Sequence, residues 1–333
     1  MAASSRRSVS TKIWALGAFI VLVIALYTAG WFYAASLLKE RTLALLGSQE
    51  KAGVTAECAD AEYRGYPFRI GLFCSRVSVD DRTNGISAVF GGLRSAAQVY
   101  EPTHVVWELD GPSEIRTGHG LSITSNWQGL QSSLTAKGKG IERSSTLINA
   151  LQSAIVSSAT GQTFNLAADS SEVHLRQNGA DLDAAMTLTN ASLAGQDLPQ
   201  GLPALTTNAD VTFSGKAGLI DGSDNNVSLY GAQGEIRSLS ADLGDGRVIS
   251  LSGPFGVTQD GRLNGKLKLR VEKLGAWKES LKVAFPGLAS TLDNATGMLS
   301  ALGGGDKASI DFTIKNGKVL VGGFIPVGEI PPI

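Results

Sequence analysis

Residues 260–271 read DGRLNGKLKLRV, and the fold is decided there. Leu267, Leu269 and Val271 alternate with Lys266, Lys268 and Arg270, a period of two that puts the apolar side chains on one face of a strand and the cations on the other. Asp260-Gly261, just before, can take the positive φ of a tight hairpin turn. The same alternation recurs in Val173 and Leu175, and in Ile310, Phe312 and Ile314. Asn84-Gly85, Asn178-Gly179, Asp245-Gly246 and Asn316-Gly317 add turn dipeptides of the same kind. One such dipeptide is weak evidence; a series of them between alternating runs describes an antiparallel meander.

Composition points the same way. Forty glycines in 333 residues, against a usual share of about 7%, fit many short strands and tight turns. The expected fold is therefore mainly β: antiparallel, a curved meander or sandwich-like sheets. Two helical insertions are expected. One runs from about Ser145 to Ser158, with Leu147, Ile148, Leu151 and Ile155 on one face. The other, about Glu272 to Leu302, is broken at Pro286-Gly287 and carries the stripe Leu288, Leu292, Ala295, Leu299 and Leu302, expected to pack on a sheet. The proline-bearing tail from Phe324 reads as a last edge strand and an extended segment.

Ahead of all this, Ile13 to Leu38 contains no charge, while Arg6, Arg7 and Lys12 precede it and Lys39 follows. At about 1.5 Å per residue it exceeds the roughly 30 Å of a hydrocarbon core. Trp14, Tyr27, Trp31 and Tyr33 supply rings for the headgroup region. It is too long for the apolar core of a cleaved signal, although Thr28-Ala29-Gly30 could pass as a cleavage site. Residues 1–12 are then a cytoplasmic tail, 13–38 a transmembrane anchor, 39–52 a helical stalk ending at Gly47, and 53–333 a β-rich exported domain, with two lobes conceivable around 144–162. Lys39, Arg41 and Lys51 balance the cations before the span, so charge counting leaves orientation tied. The cysteines and the β-rich composition suit an exported domain, which puts the N-terminus in the cytoplasm.

Cys58 and Cys74 are the only cysteines. In an oxidising envelope they are most simply a disulfide; a metal pair and a catalytic thiol are the rivals, without CxxC spacing or a nearby His. Between them lie Gly65, Tyr66, Pro67, Phe68, Arg69 and Ile70, where Gly65 and Pro67 would make the bend that brings the sulfurs together. A membrane segment, a cysteine, this Gly-Tyr-Pro-Phe-Arg-Ile run, a second cysteine and then glycine-rich strands resemble the alphaproteobacterial domain-of-unknown-function family twenty-one twenty-five. That resemblance brings no catalytic residue with it. More loosely, a single membrane helix followed by repeated strands and turns resembles the AsmA-like envelope proteins, which implies a β-rich periplasmic domain linked to lipid handling.

Nothing advertises chemistry. His104, His119 and His174 are scattered, and no GxSxG, HExxH or P-loop occurs. Asp80-Asp81, Asp181 with Asp183, and Asp221 with Asp224 read as turn chemistry, the last missing the calcium-loop spacing. No catalytic residue, metal ligand or cofactor is expected. A net charge of -1 offers no basic stripe for nucleic acid. The expected function is an inner-membrane-anchored, non-enzymatic periplasmic protein whose sheet binds lipid or assists envelope assembly. A protein-binding scaffold is the alternative, and an envelope hydrolase a third.

Overall fold

The computed structural model describes residues 5–49, 53–138, 140–196, 198–199, 203–221, 230–303 and 305–332, with side chains for all of these except 5–9, 41–49, 221, 302 and 303. Helix α1, Ser5–Gln49, is continuous through the anchor and the stalk; Gly47 does not end it. Within it Ser10–Glu40 is long and apolar enough to cross a membrane.

Everything after α1 is organised by one 20-stranded antiparallel sheet. Its first strands come as bent pairs: β1 (Val54–Ala59) and β2 (Glu62–Arg64), β3 (Arg69–Cys74) and β4 (Arg76–Asp81), β5 (Ile86–Phe90) and β6 (Leu93–Gln98), β7 (Glu101–Leu109) and β8 (Ser113–Thr117), β9 (Leu121–Asn126) and β10 (Gly129–Lys137). In each pair the chain turns a corner and carries on. Thus β2–β3–β6–β7–β10 form one arm and β1–β4–β5–β8–β9 the other, and both meet on β11 (Gly140–Ser157). Hydrogen bonds line the crease: Ser75 N to Ala59 O at 2.9 Å, Gly91 N to Asp110 O at 3.0 Å, and Gln128 N to Asn149 O at 3.0 Å. Gly91 is required there, because a Cβ would lie 2.8 Å from Asp110 O.

From β11 the meander continues through β12 (Thr163–Asn178), β13 (Asp181–Gly195), β14 (Leu205–Phe213), β15 (Gln233–Asp242), β16 (Val248–Val257), β17 (Leu263–Val271), β18 (Ala308–Lys315), β19 (Lys318–Val321) and β20 (Ile325–Glu329). Each strand bonds to the next. The expected meander is therefore present, and β20, with Pro326, is its edge strand. Asp245-Gly246 and Asn316-Gly317 take positive φ at both positions. At Asn178-Gly179 the two-residue loop sits one place later, with Asn178 paired to Asp181 and Gly179 at φ 64°.

The helix expected from Ser145 to Ser158 is not a helix: the segment is most of β11. Ala150, at φ 50°, interrupts the strand's alternation. Before it Ile148 pairs with buried Ser171, and after it Leu151 pairs with buried Ala168. Ile148, Leu151 and Ile155 therefore share a side at spacings of three and four, which imitates a helix. Ladders on both flanks and the β-branched Ile148, Ile155 and Val156 hold the segment extended.

The second insertion is helical as expected: α3 (Leu274–Ala284), a 3-10 turn at Pro286–Leu288, and α4 (Ala289–Gly303) after a four-residue α2 (Gly218–Asp221). Leu243, Val271, Leu274, Trp277 and Ala308 form the core under it, joined by Leu281 and Leu299. Of the apolar stripe, Leu292 and Leu299 are partly covered while Leu288 and Ala295 are exposed. Lys278 and Lys282 both reach Asp293, at 3.4 and 3.0 Å, and tie α3 to α4.

Candidate functional site on the apolar face and at the helix clasp

Cross-strand partners share a face of a sheet, so the register sorts the side chains. One row runs Val173, Met186, Ala209, Leu239, Leu251, Leu269 and Ile310 from β12 to β18. Every member is apolar. Along the β1–β4–β5–β8–β9 arm and on to β11 and β12, Ala56, Val79, Ala88, Ile115, Ile123, Ile155 and Phe164 make a second such row. Among the described residues the main helix contacts with the sheet lie towards the ends of these rows: α1 against β1, α2 against β11, β12 and β13, and α3 and α4 beside β18. Met186 stays 41% exposed and Leu239 43%, and no large side chain among the described residues falls below 2%. A sheet this broad with a filled interior would bury its large residues fully.

The opposite face is polar. Arg143, Arg176, Asp183, Thr212 and Glu235 follow one another across the strands. Asp183, its side chain 6% exposed, accepts from Arg176 at 2.6 Å, Arg237 at 2.9 Å and Thr212 at 2.8 Å. The Arg176 hydrogen bond, helped by Thr212 and Arg237, holds its carboxyl down at about 2. Asp183 was expected to serve a turn; it is instead the centre of an ion network, which nothing local in the sequence announces. Asp81 does serve its own turn, accepting from Thr83 N, whereas Asp181 accepts from Gly215 N, 34 residues further along the chain. Asp224 lies outside the described residues.

On this polar face a hollow of about 660 Å³ opens over β3, β6, β7, β10, β11 and β12, with Phe73, Ala96, Val106 and Leu147 in its lining, and a second of about 350 Å³ adjoins it at Ser145 and His174. Ser145 Oγ lies 3.0 Å from His174 Nδ1, and Glu172 lies 3.5 Å from His174 Nε2. The trio has the composition of a nucleophile, base and acid. However, Ser145 and His174 are ordinary register partners in mid-sheet, where backbone N–H groups serve the ladder rather than an oxyanion. Arg94, Asp110, Glu108 and Gln131 at the rim bond one another, at 2.6 to 3.3 Å. His104 meets Thr135 Oγ1 at 3.2 Å in the same cross-strand way.

Cys58 and Cys74 form the disulfide, Cα atoms 5.2 Å apart, tying β1 to β3 across the crease. Among the described residues no group of three or more His, Cys, Asp or Glu could hold a metal ion. The Gly65 to Ile70 run does more than turn. Gly65, at φ 118° with Arg69 N bonded back to its carbonyl at 2.9 Å, reverses the chain between β2 and β3; a Cβ there would lie 2.8 Å from Arg69 O. The tip then clasps α1. Trp31 Nε1 donates to Arg69 O at 3.0 Å, Thr28 Oγ1 meets Tyr66 OH at 2.7 Å, and Tyr27 OH donates to Pro67 O. The Tyr66 ring stacks on Phe32 and meets Trp31 edge-on, and Trp31 is left 6% exposed. Ile70 enters β3 opposite Ala97, while Phe68 is exposed. The rings at Tyr27 and Trp31 were expected only as headgroup markers; the hairpin's own Tyr66 was the available hint that they had a protein partner.

Residues 31–331 match the family described as "Uncharacterized protein conserved in bacteria (DUF2125)". No curated protein and no solved structure matches.

Proposed function

The chain belongs to this bacterial family, and on that footing we propose that it is a single-pass inner-membrane protein whose periplasmic sheet binds lipid chains along its apolar face without catalysing a reaction. The row from Val173 to Ile310 carries the reading. It is apolar over seven strands, and its middle, Met186 and Leu239, is open rather than covered. A water-exposed apolar strip of this length calls for an apolar occupant, and an α1 able to cross a bilayer keeps the domain beside a supply of one. The disulfide agrees with an oxidising compartment, which supports a reading with the N-terminus in the cytoplasm. Purified full-length protein should carry phospholipid detectable by mass spectrometry after detergent exchange. Repeated absence of lipid would remove the reading.

A second reading has its own observation. Strand β20 is exposed along its whole length, and Phe324, Ile325 and Val327 project from or beside it. An open edge of this kind can accept a strand from another envelope protein. Partners crosslinked at Val327, from preparations free of bound lipid, would favour that scaffold role.

A further inference from the structure

We propose that the hairpin tip at Tyr66–Phe68, together with the neighbouring β6–β7 turn at Val99–Tyr100, is a membrane-inserting foot that sits in the interface of the bilayer crossed by α1. The inference rests on the anchor reading of α1 and deepens it. Its starting point is the level at which the hairpin is held. Tyr27, Thr28 and Trp31 belong to the charge-free stretch, yet all of them bond the β2–β3 tip. Counting about 1.5 Å per residue from Lys12, the last charge before the span, a hydrocarbon core of about 30 Å ends near Phe32. The clasp is therefore at or just inside the boundary between chains and headgroups, and the tip is carried to that depth with it.

What the tip shows to its surroundings fits that depth. Phe68 is 70% exposed and Tyr100 77%, with Val99 and Tyr66 also exposed. Val99 N donates to Phe68 O at 3.0 Å, so the two turns form one surface rather than scattered residues. Rings with a polar end, Tyr66 and Tyr100, favour the interface, and Phe68 favours the chain region just beneath it. Arg69, exposed beside Phe68, places a cation where anionic headgroups lie. In water this cluster would be an unexplained apolar patch; against the leaflet it is the second point of attachment, after the helix itself.

The test uses the full-length chain in nanodiscs of phosphatidylethanolamine and phosphatidylglycerol. Because both native cysteines are in the disulfide, single substitutions Phe68→Cys and Tyr100→Cys can carry a polarity-sensitive fluorophore. Leu16→Cys reports on the span and Val283→Cys, exposed on α3, on the distant domain. Lipids bearing a nitroxide near the headgroup should remove most of the emission from positions 68 and 100 and leave 283 unchanged, with 16 quenched by a deeper nitroxide. Quenching at 16 but not at 68 or 100 overturns the foot while leaving the anchor intact. Failure at 16 overturns both. Labels at 68 and 100 shielded from aqueous iodide yet untouched by lipid nitroxide would mean that a protein covers the patch, and would also overturn it.

Discussion

Met186 and Thr187 are neighbours on β13 but belong to two different surfaces. Met186 stands in a row with no polar atom in its side chains from Val173 to Ile310; Thr187 bonds Asn208 at 2.9 Å in a face of hydroxyls, carboxylates and guanidinium groups. The centre of the polar face is knitted together, with Asp183 accepting from Arg176, Arg237 and Thr212. The apolar face has no such internal partners and is covered by helices only near its ends. One sheet thus has a side whose central groups partner one another and a side whose apolar row has an open middle, and lipid is proposed for the second.

The largest expected effect breaks that asymmetry directly. Met186→Glu should abolish co-purification of phospholipid while far-ultraviolet circular dichroism stays unchanged, whereas Thr187→Glu, one residue away, should leave lipid content as it is. If Met186→Glu unfolds the domain instead, the apolar face is a filled core. Next is the tie between the two arms. Cys58→Ser with Cys74→Ser releases a loop of sequence separation 16 and should lower stability by about 3 kcal/mol in urea unfolding.

The polar face gives a smaller, pH-dependent effect. Asp183 has a folded pKa of about 2, below its unfolded value, so its contribution is fully present above pH of about 4 and is lost as pH falls towards 2. Asp183→Asn should cost about 2 kcal/mol at neutral pH and flatten the stability profile across that acid window. Smallest is Trp277→Phe. The indole N–H is buried under α3 with no partner among the described residues, so removing it should change stability by less than about 1 kcal/mol, against about 3 kcal/mol or more for Trp277→Ala.

Much of this could be read from residue order because a meander is a local object. Leu267, Leu269 and Val271 announced β17, the turn dipeptides announced the hairpins, and Pro286-Gly287 marked the break between α3 and α4. Local reading failed where two strands had to be known at once. The irregularity at Ala150 shifted the alternation of β11 and produced helical spacing. Asp183 meets Arg237 from 54 residues away, and Tyr66 finds Trp31 on a helix whose rings had an independent explanation. Apolar rows could be anticipated strand by strand, but their alignment across the sheet depends on register, which single strands do not carry.

The order of the strands bears on how such a chain can assemble. Each bent or straight strand pairs with the one that follows it, so a polypeptide emerging N-terminus first always finds the template for its newest strand already in place. No strand must wait for a distant partner, and loop closure stays short apart from the 214–232 connection and the α3–α4 excursion. The Cys58–Cys74 link closes within the first of these steps and gives the growing edge a fixed starting corner. The series closes on β20, an exposed edge strand in which Pro326 lacks one backbone donor.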